Sequence, residues 1–549
     1  DSVKAGGEPL VLHSTRAGNL VYTSHEGTTH IDREGLPGTS IVQFLCPGLT
    51  TVDCYKNHVW IWTSDDRGKT WQARDEGLSY TGFSDPDLTE DAAGSIYNTG
   101  IDLANESVFS SQDGGKTWPH GTTNCAPGDR PWLAGGVAGE VYMATDPLTS
   151  PHTVYRSTNS ADSCGANGVR DAGTLPDGTT WSGYGKLAYD RFDGSLVEPA
   201  VFTHGDGSIG VGYSRLPRAG DAFSGGGEHF QPVEVMGHTS VFSPFGAPEK
   251  ISFDAAQNTY FAWDTDARAP NTTGGCNTSI QSNPYVGGGN TPLPNQIMLA
   301  TGKYISPGLW TFSTPVSIAH QGEARVEWPW TVAGSDGNVS VVWYQMDKMV
   351  DPDCDLYNGV AVPDVKTYIY KAHITSAVTA AGRAITVTNA SGRFIHQGGI
   401  CNSGTTCVAT GQDRRLGDFF TNAVDENGCV LIASGDTTVL DVTGQPRATS
   451  LPIFIRQNSG PSLTGLDCGA VSGASSGGPG GGGTPDTGAG APPGPTAIFA
   501  AAVLGLGLLA LLTRRRGGSA PTRRPPRTPG SGGSPGSASG KPRSGPGRS

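Results

Sequence analysis

The sequence has few charged residues. It also lacks long apolar segments with a helical period before residue 490, and its cysteines do not have the spacings of metal-binding motifs. Only 16% of its 549 residues are charged, and no stretch before residue 490 keeps a helical apolar period for three turns. That absence argues against a helical body. What is present instead is frequent Thr, Val and Ile with 11 Trp and 16 Tyr, residues that are enriched in strands. We therefore predict an all-β body.

None of the ten cysteines lies in a CxxC motif or at a zinc-binding spacing from histidine, so the sequence predicts no metal site from them. All ten precede residue 469 and fall in neighbouring pairs, as expected of disulfides in an oxidising compartment. We expect a signal peptide to have been removed before Asp1. Spacing alone does not settle the connectivity, but neighbours pair as Cys46/Cys54, Cys125/Cys164, Cys276/Cys354, Cys401/Cys407 and Cys429/Cys468.

Positive charge is scarce in the body of the chain and concentrated in its tail. Nine Lys and Arg residues follow residue 513, and removing them from the net charge of −13 leaves −22 on residues 1–513. Nucleic-acid-binding proteins carry basic surfaces, so this acidic body argues against nucleic acid as a partner.

The C-terminal segments predict a surface anchor. Residues 469–495 form a Gly/Ser/Pro-rich linker that cannot bury a core. The apolar run AIFAAAVLGLGLLALL, within 496–513, would make roughly 24 Å of transmembrane helix, and a basic tail (514–549) opens with three arginines. TPDTG (484–488) resembles the LPxTG signal that sortase cuts, although Thr484 replaces Leu. A plain single-pass anchor is the alternative, and both place the body outside the cell.

A repeated hairpin pattern organises residues 1–468. Apolar alternation leads into a turn with Asp, Gly or Asn and then into a second apolar strand, as a two-strand hairpin requires. Repeats of short antiparallel strands are typical of a β-propeller. We predict seven four-stranded blades, or six if the first unit completes the last blade. The seven units are 14–24, 87–100, 132–145, 186–202, 251–264, 330–344 and 419–435.

In the first three units an outer strand ends in a variant of one octet: SDDRGKTW (64–71), SQDGGKTW (111–118) and the degraded STNSADSC (157–164). It resembles the Asp box, S-x-D-x-G-x-T-W, of sialidase and BNR-repeat propellers. A catalytic Asp is needed once, in one pocket, whereas this one recurs in successive blades, so we interpret the boxes as structural turns. Their predicted structural residues are Ser64, Asp66, Gly68, Trp71, Ser111, Asp113, Gly115 and Trp118.

Candidate site residues lie where the innermost strands begin, because propellers bind ligands at the mouth of the central channel. The segments FSDPDL (83–88), GDRPWL (128–133), GYGKL (183–187), RVEWPW (325–330) and DRRLGDFF (413–420) are unusually polar and aromatic there. The alternative is that these side chains seal neighbouring blades. We predict substrate-binding roles for Arg130, Trp132, Lys186, Arg325, Trp328, Arg415 (or its neighbour Arg414) and Asp418.

The resemblance to sialidases implies a definite chemistry. Those enzymes hold a sialic acid carboxylate with three arginines, attack through a Tyr that a Glu activates, and use an Asp as acid/base, which suits an oxocarbenium-like transition state. The Arg-Ile-Pro motif of their first strand is absent, and Arg16 is its nearest substitute. The predicted catalytic residues are Asp85, Asp87, Glu327 and Tyr344.

Three functions remain open at this point: an exo-glycosidase of sialidase type, a non-catalytic glycan-binding adhesion protein, and a structural surface protein. Extracellular glycans are the predicted partners. No cofactor is predicted, although Asp-rich loops such as DPDCD (351–355) offer oxygen ligands for a structural calcium ion.

Overall fold

The computed structural model describes most of the body of the chain and none of its tail. All structural statements below concern the described residues: 6–25, 27–29, 32–33, 59–74, 84–102, 105–147, 150–165, 167–218, 222–225, 227–239, 248–265, 296–320, 325–347, 364–379, 382–400, 413–440, 444, 447 and 449–473. Contacts divide the chain into residues 1–491 and 492–549, and the second unit lies outside the described residues.

Seven antiparallel sheets form the body. Blade 1 contains β1 (Leu10–His13), β2 (Leu20–Ser24), β5 (Trp60–Ser64) and β6 (Gln72–Ala73), with β3 (Gly27–Thr29) and β4 (Asp32–Arg33) as a separate hairpin. Blade 2 contains β7 (Ser84–Glu90), β8 (Ile96–Asp102), β9 (Asn105–Ser111) and β10 (His120–Ala126). Blade 3 contains β11 (Trp132–Gly135), β12 (Val141–Thr145), β13 (Thr153–Ser157) and β14 (Val169–Arg170).

The next three blades carry additional strands. Blade 4 contains β15 (Ala172–Thr174), β16 (Thr180–Gly183), β17 (Ala188–Asp190), β18 (Ser195–Thr203), β19 (Ile209–Leu216) and β20 (Gln231–Thr239). Blade 5 contains β21 (Ile251–Phe253), β22 (Thr259–Thr265), β23 (Gln296–Ser306), β24 (Leu309–Phe312) and β25 (Val316–His320). Blade 6 contains β26 (Val326–Ala333), β27 (Val339–Met346), β28 (Lys366–Thr375), β29 (Ala384–Asn389) and β30 (His396–Gln397). Blade 7 contains β31 (Thr421–Val424), β32 (Val430–Asp436) and β33 (Leu451–Arg456).

The seven-bladed propeller that the sequence predicts is confirmed. Six of the predicted hairpins correspond to the first and second strands of a blade, and the seventh corresponds to the paired strands β17 and β18, which follow β15 and β16 in blade 4. The six-blade alternative is wrong, because β1 pairs with β2 in a sheet of its own and does not join blade 7. Alternating apolar strands close the ring because each sheet buries both faces against its neighbours.

Aromatic side chains fill the centre of the ring where blades 3, 6 and 7 meet. The ring centroids of Trp132 and Trp330 lie 5.7 Å apart, and Phe419 lies 4.9 Å from Trp132. All three side chains are buried. A cavity of about 260 Å³ adjoins Trp330 of this cluster and is lined by Lys186 and Lys250 among others.

The N-terminal segment closes the ring between blades 1 and 7. The Gly6 amide donates to the Ser450 carbonyl (3.0 Å), and the Thr421 hydroxyl donates to the Pro9 carbonyl (2.9 Å). The Tyr22 hydroxyl of blade 1 donates to the Ser434 carbonyl of blade 7 (3.2 Å). Closure therefore depends on contacts between residues more than 400 positions apart.

The Asp boxes lie at the ends of third strands, and so on the face opposite to the starts of the innermost strands. In the first box the Ser64 hydroxyl donates to Asp66 (2.8 Å), whose carboxylate accepts the Thr70 amide (2.8 Å) and hydroxyl (2.6 Å). Trp71 Nε1 donates to the Gly68 carbonyl (3.2 Å), and its ring packs against Tyr22 and against Phe454 of blade 7.

The second and third boxes fold in the same way. Ser111 and Asp113 make the corresponding bonds, and Trp118 Nε1 donates to the Gly115 carbonyl (3.2 Å). In the degraded copy Asn159 accepts the Ser163 amide (3.1 Å) in place of the Asp. The turn therefore needs a side-chain oxygen at this position but no charge.

Two predicted disulfides, Cys125–Cys164 and Cys429–Cys468, are confirmed. Each joins residues 39 positions apart. The first occupies the Trp position of the degraded box, where a covalent bond replaces the ring. The other three predicted pairs include cysteines outside the described residues.

Gly68→Ala is expected to destabilise the protein by about 2–4 kcal/mol. Gly68 has φ +85°, and an added Cβ would lie 2.1 Å from the Phe454 ring. Gly207→Ala is the matched control, because Gly207 has φ +83° but nothing within 4 Å of a Cβ, so it carries only the backbone strain. Urea unfolding measures the free energy of unfolding of both variants. Equal losses would show that the contact of residue 68 with Phe454 of blade 7 contributes nothing to the effect.

A short helix, α1 (Cys468–Gly473), follows the last blade, so the predicted linker begins within a helix. No helix in the described part of the chain is long and apolar enough to cross a membrane. The predicted anchor (496–513), the TPDTG motif and the basic tail lie outside the described residues.

Candidate functional site

We call the face where the innermost strands begin the mouth of the channel. In four blades the chain enters its inner strand through a positive-φ residue followed by proline, a conformation that costs about 1–3 kcal/mol for a residue other than glycine. Strain of this size persists only where surrounding contacts impose it. The four residues are Glu8 (φ 49°), Asp85 (φ 48°), Arg130 (φ 59°) and Trp328 (φ 56°).

Arg130 binds a tyrosine and a glutamate side chain at the mouth. Its Nη1 donates to the Tyr184 hydroxyl (2.8 Å), and its Nη2 donates to both carboxylate oxygens of Glu249 (2.8 and 2.9 Å). The guanidinium also lies 4.9 Å from the Tyr184 ring centroid. The Arg130 side chain is 13% exposed, whereas that of Glu249 is 1% exposed. We call Arg130, Tyr184 and Glu249 the mouth triad.

A second ion-paired group lies beside the mouth triad, between blades 1, 2 and 7. Glu8 accepts the backbone amides of Asp85 (3.3 Å) and Asp418 (3.1 Å), and its carboxylate lies 3.5 Å from Arg414 Nη2. Arg414 also pairs with the Asp418 carboxylate. The negative charge of Asp418 acts on both Arg130 and Glu249, which places the two groups next to each other.

Asp87 and Lys186 form a buried joint between blades 2, 3 and 4. Asp87 accepts the Leu88 amide (2.7 Å) and the Leu133 amide (2.6 Å), and it pairs with the Lys186 ammonium. Lys186 also donates to the Leu133 carbonyl (3.2 Å). Burial raises the pKa of Asp87 and lowers that of Lys186, although each opposes the shift of the other.

Arg325, Glu327 and Tyr344 lie together on blade 6. Arg325 Nε donates to Glu327 (2.9 Å), and Glu327 is directly opposite Tyr344 on strands β26 and β27. None of the three side chains is more than 1% exposed. The Tyr344 hydroxyl lies 2.8 Å from the Ser434 hydroxyl, and its ring stacks on Phe420 at 4.0 Å. The predicted reactive pair is therefore brought together but covered.

The remaining predicted residues are also enclosed. Trp132 and Trp328 are each 2% exposed, so protein covers their ring faces in this conformation. Arg415 turns away from the mouth: its guanidinium pairs with Asp413 and donates to the Thr437 and Arg447 carbonyls. Arg414, the alternative in the sequence, is the arginine that reaches the other charged groups.

Carboxyl groups crowd the mouth and perturb one another. Burial raises the pKa of Glu249 to about 7, against the opposing charge of Arg130, with Asp418 and Asp146 adding to the rise. Burial also raises the pKa of Glu106 well above its usual range, and Asp129, Asp85 and Asp146 contribute. A carboxyl group that titrates near neutrality is suited to general acid–base chemistry.

Three important residues, Glu8, Tyr184 and Glu249, were not among the predicted ones. The signal that could have found them is the proline that opens several inner strands: GEP (7–9), SDP (84–86), DRP (129–131), APE (247–249) and EWP (327–329). Tyr184 lies in GYGKL (183–187), a segment in which only Lys186 is predicted to bind substrate. The Asp-rich loop 351–355, predicted to bind calcium, lies outside the described residues.

The stability of the protein is expected to fall as pH rises from about 4.5 to about 7, in part through Glu249. Its folded pKa of about 7 lies above its usual value of 4.5, so the folded state binds the proton more tightly. This contribution is fully present below pH 4.5 and is lost as pH rises through 7. Urea unfolding at pH 5 and pH 8 gives the change in the free energy of unfolding between the two pH values. This change should be smaller for Glu249→Gln than for the unchanged protein, and equal changes would contradict the raised pKa of Glu249.

No family model and no curated protein matches the sequence. Among solved structures the chain resembles an ulvan lyase of polysaccharide lyase family PL25, with 11% identity and a TM-score of 0.43 over 83% of this chain and 94% of that chain. It also resembles a GH93 α-L-arabinofuranosidase of Fusarium graminearum in complex with arabinobiose (11% identity, TM-score 0.31, 67% and 92% coverage). An α-L-arabinanase of Penicillium chrysogenum complexed with arabinobiose gives 14% identity and a TM-score of 0.29, with 62% and 88% coverage. Because all three TM-scores lie below 0.5, these proteins decide nothing about what the present chain binds or does.

Proposed function

We propose that this chain is an extracellular propeller that binds glycans at the channel mouth and cleaves them, with the mouth triad at the reacting bond. The observation that supports this best is that one guanidinium holds a Tyr hydroxyl and a Glu carboxyl together, at a place where the arginine is partly exposed. Strained backbone at Arg130 is a second support, because such strain concentrates at functional sites.

The chemistry of glycoside cleavage fits these groups. The reaction needs a proton donor to the leaving oxygen and a group that stabilises or attacks the oxocarbenium-like centre. Glu249, with a pKa of about 7, supplies both protonation states near neutrality. Burial raises the pKa of Tyr184, so it acts as a neutral hydroxyl that needs a base before it attacks. The half-buried carboxyl group of Asp129 accepts sugar hydroxyls at the mouth.

A sialidase-type centre on blade 6 is the finer alternative. The Glu327–Tyr344 pairing beside Arg325 favours it, since a Tyr activated by a Glu is the reactive pair of the enzymes that the Asp boxes resemble. Asp85 or Asp87 would then supply the acid. All three side chains of this centre are buried, so the mouth must open to expose it, whereas in the mouth triad Glu249 is buried but Arg130 and Tyr184 are half-buried.

A non-catalytic glycan-binding propeller is the second candidate. The observation in its favour is that Arg130, Arg325, Arg414 and Arg415 are each ion-paired with a carboxylate of the protein itself, which leaves no preformed clamp for a substrate carboxylate. Such a surface would bind neutral sugars through their hydroxyls.

Two sets of substrates test the proposal with the full chain: fluorogenic glycosides, including a sialoside, and polysaccharides that contain uronic acids. Release of fluorophore, or of unsaturated product absorbing in the ultraviolet, supports cleavage. Retention on a glycan array without turnover would replace cleavage by binding. If the protein neither cleaves nor retains any glycan, a structural role at the cell surface is the function that remains.

We propose further that the protein is secreted and held at the cell surface by residues 496–513, with TPDTG as a substrate of sortase. The two disulfides support an oxidising compartment. Protease treatment of intact cells should remove the propeller from the surface. Mass analysis of the released C terminus distinguishes cleavage after Thr487 from an intact anchor.

A further inference from the structure

Three buried side chains with metal-binding atoms meet in the seam between blades 3 and 4. His152 precedes β13, Asp171 lies between β14 and β15, and Glu198 lies on β18. One ligand atom from each lies within 4.8 Å of the others, and all three residues are buried. We propose that His152, Asp171 and Glu198 bind one divalent transition-metal ion, and that Zn²⁺ is the ion their donor set favours.

The hydrogen bonding of His152 prepares it as a ligand. Its Nδ1 lies 2.7 Å from Asp146 Oδ1, so when Nε2 binds a metal ion the remaining ring proton lies on Nδ1. Nε2 then faces Glu198, at 2.8 Å from Oε1. A carboxylate behind the histidine that ligates a metal is the usual arrangement in zinc sites, because it fixes the tautomer and orients the ring.

Two carboxylate oxygens in the seam lack a hydrogen-bond donor. Asp171 Oδ1 and Glu198 Oε2 are buried without one, and both side chains are 0% exposed. Ser214 donates to the other oxygen of Asp171 (2.7 Å). Among the described residues no Lys or Arg forms an ion pair with either carboxylate, and His152 pairs with Glu198 as a cation only when its imidazole is protonated. Buried carboxylates without a cation are costly, so the seam needs a metal ion or an added proton.

The proton is the competing explanation. Burial and the negative charge of Glu198 raise the pKa of Asp171, so these two groups can share one proton. Burial lowers the pKa of His152, but the charge of Glu198 and the hydrogen bonds to Asp146 and Glu198 raise it well above its usual value, so the imidazole can hold that proton as well. A shared proton makes stability depend on pH alone, whereas a metal ion makes it depend on chelators and on added metal.

The test uses the full chain, purified without chelator, then stripped and titrated with Zn²⁺, Mn²⁺ or Ca²⁺. We expect about one metal per chain by elemental analysis and a rise in Tm on adding Zn²⁺ to the stripped protein. His152→Ala should lower the affinity by at least about 10-fold. Asp171→Asn keeps the side-chain volume and should do the same if His152→Ala does not fold.

His120→Ala is the matched control, because His120 pairs with Asp162 at 3.0 Å on the surface with no third ligand atom. It should bind metal as the unchanged protein does. A protein whose Tm responds to pH but not to Zn²⁺ or chelator would overturn the proposal in favour of the shared proton. A metal response that survives in both seam variants would assign the ion to another part of the chain.

Discussion

Tyr184→Phe is expected to lower kcat about 10²- to 10⁴-fold on the glycan that the protein cleaves, the range that one acid–base or nucleophilic group contributes. The substitution removes only the hydroxyl that Arg130 holds at 2.8 Å, so the ring and its packing over the guanidinium remain. Fold and glycan binding should therefore change little. Steady-state kinetics, with thermal unfolding as the check on the fold, measure the effect.

Tyr344→Phe is the matched control for this prediction, since it removes a buried hydroxyl that lies 2.8 Å from Ser434 on another blade. It is expected to keep kcat within about threefold and to lose about 1 kcal/mol of stability. The opposite result, an inactive Tyr344→Phe beside an active Tyr184→Phe, would contradict the mouth triad and support the blade 6 centre.

Lys186→Met is expected to destabilise the protein by about 3–5 kcal/mol, the cost of leaving a buried charge without its partner. The Lys186 ammonium pairs with Asp87, which is 0% exposed and also binds the Leu133 amide of the next blade. Removing the ammonium leaves the Asp87 carboxylate with two amides and no cation hydrogen-bonded to it, so that only the more distant charge of Lys250 acts on it. Urea unfolding gives the loss directly.

Lys303→Met is the control for Lys186→Met, because Lys303 is exposed on β23 and its loss should stay within about 0.5 kcal/mol. The double variant with Asp87→Asn should recover part of the loss, since no buried charge remains. A loss below about 1 kcal/mol in the single variant would mean that the joint contributes little.

The blade count was predictable from the sequence because the signals are local. Each first hairpin couples a period-2 apolar pattern to a turn residue, and each Asp box closes within eight residues. Asp66 and Thr70 are four positions apart, so their hydrogen bond forms within one turn and does not depend on distant parts of the chain. Local patterns of this kind can be recognised in a single sequence without an alignment of related sequences.

The polar starts of the inner strands were also visible, but their partners were not. Arg130 and Glu249 are 119 residues apart, and Glu8 and Asp418 are 410 apart. No spacing connects such pairs, because the order of blades around the ring brings them together. For the same reason the sequence does not distinguish Arg415 from Arg414, although only Arg414 joins the mouth groups.

The sequence by itself determined the strands, the turns, the seven hairpins and two disulfides, because each depends on residues near one another or on simple neighbour pairing. Only the tertiary structure decided which arginine holds Tyr184, that the tryptophans of the mouth are covered, and that His152 meets Asp171 and Glu198 in one seam. The physical reason is that side chains become buried, and their charges are paired, only when the blades assemble into the closed ring. A carboxyl group such as Glu249 acquires a pKa of about 7 only when seven blades enclose it.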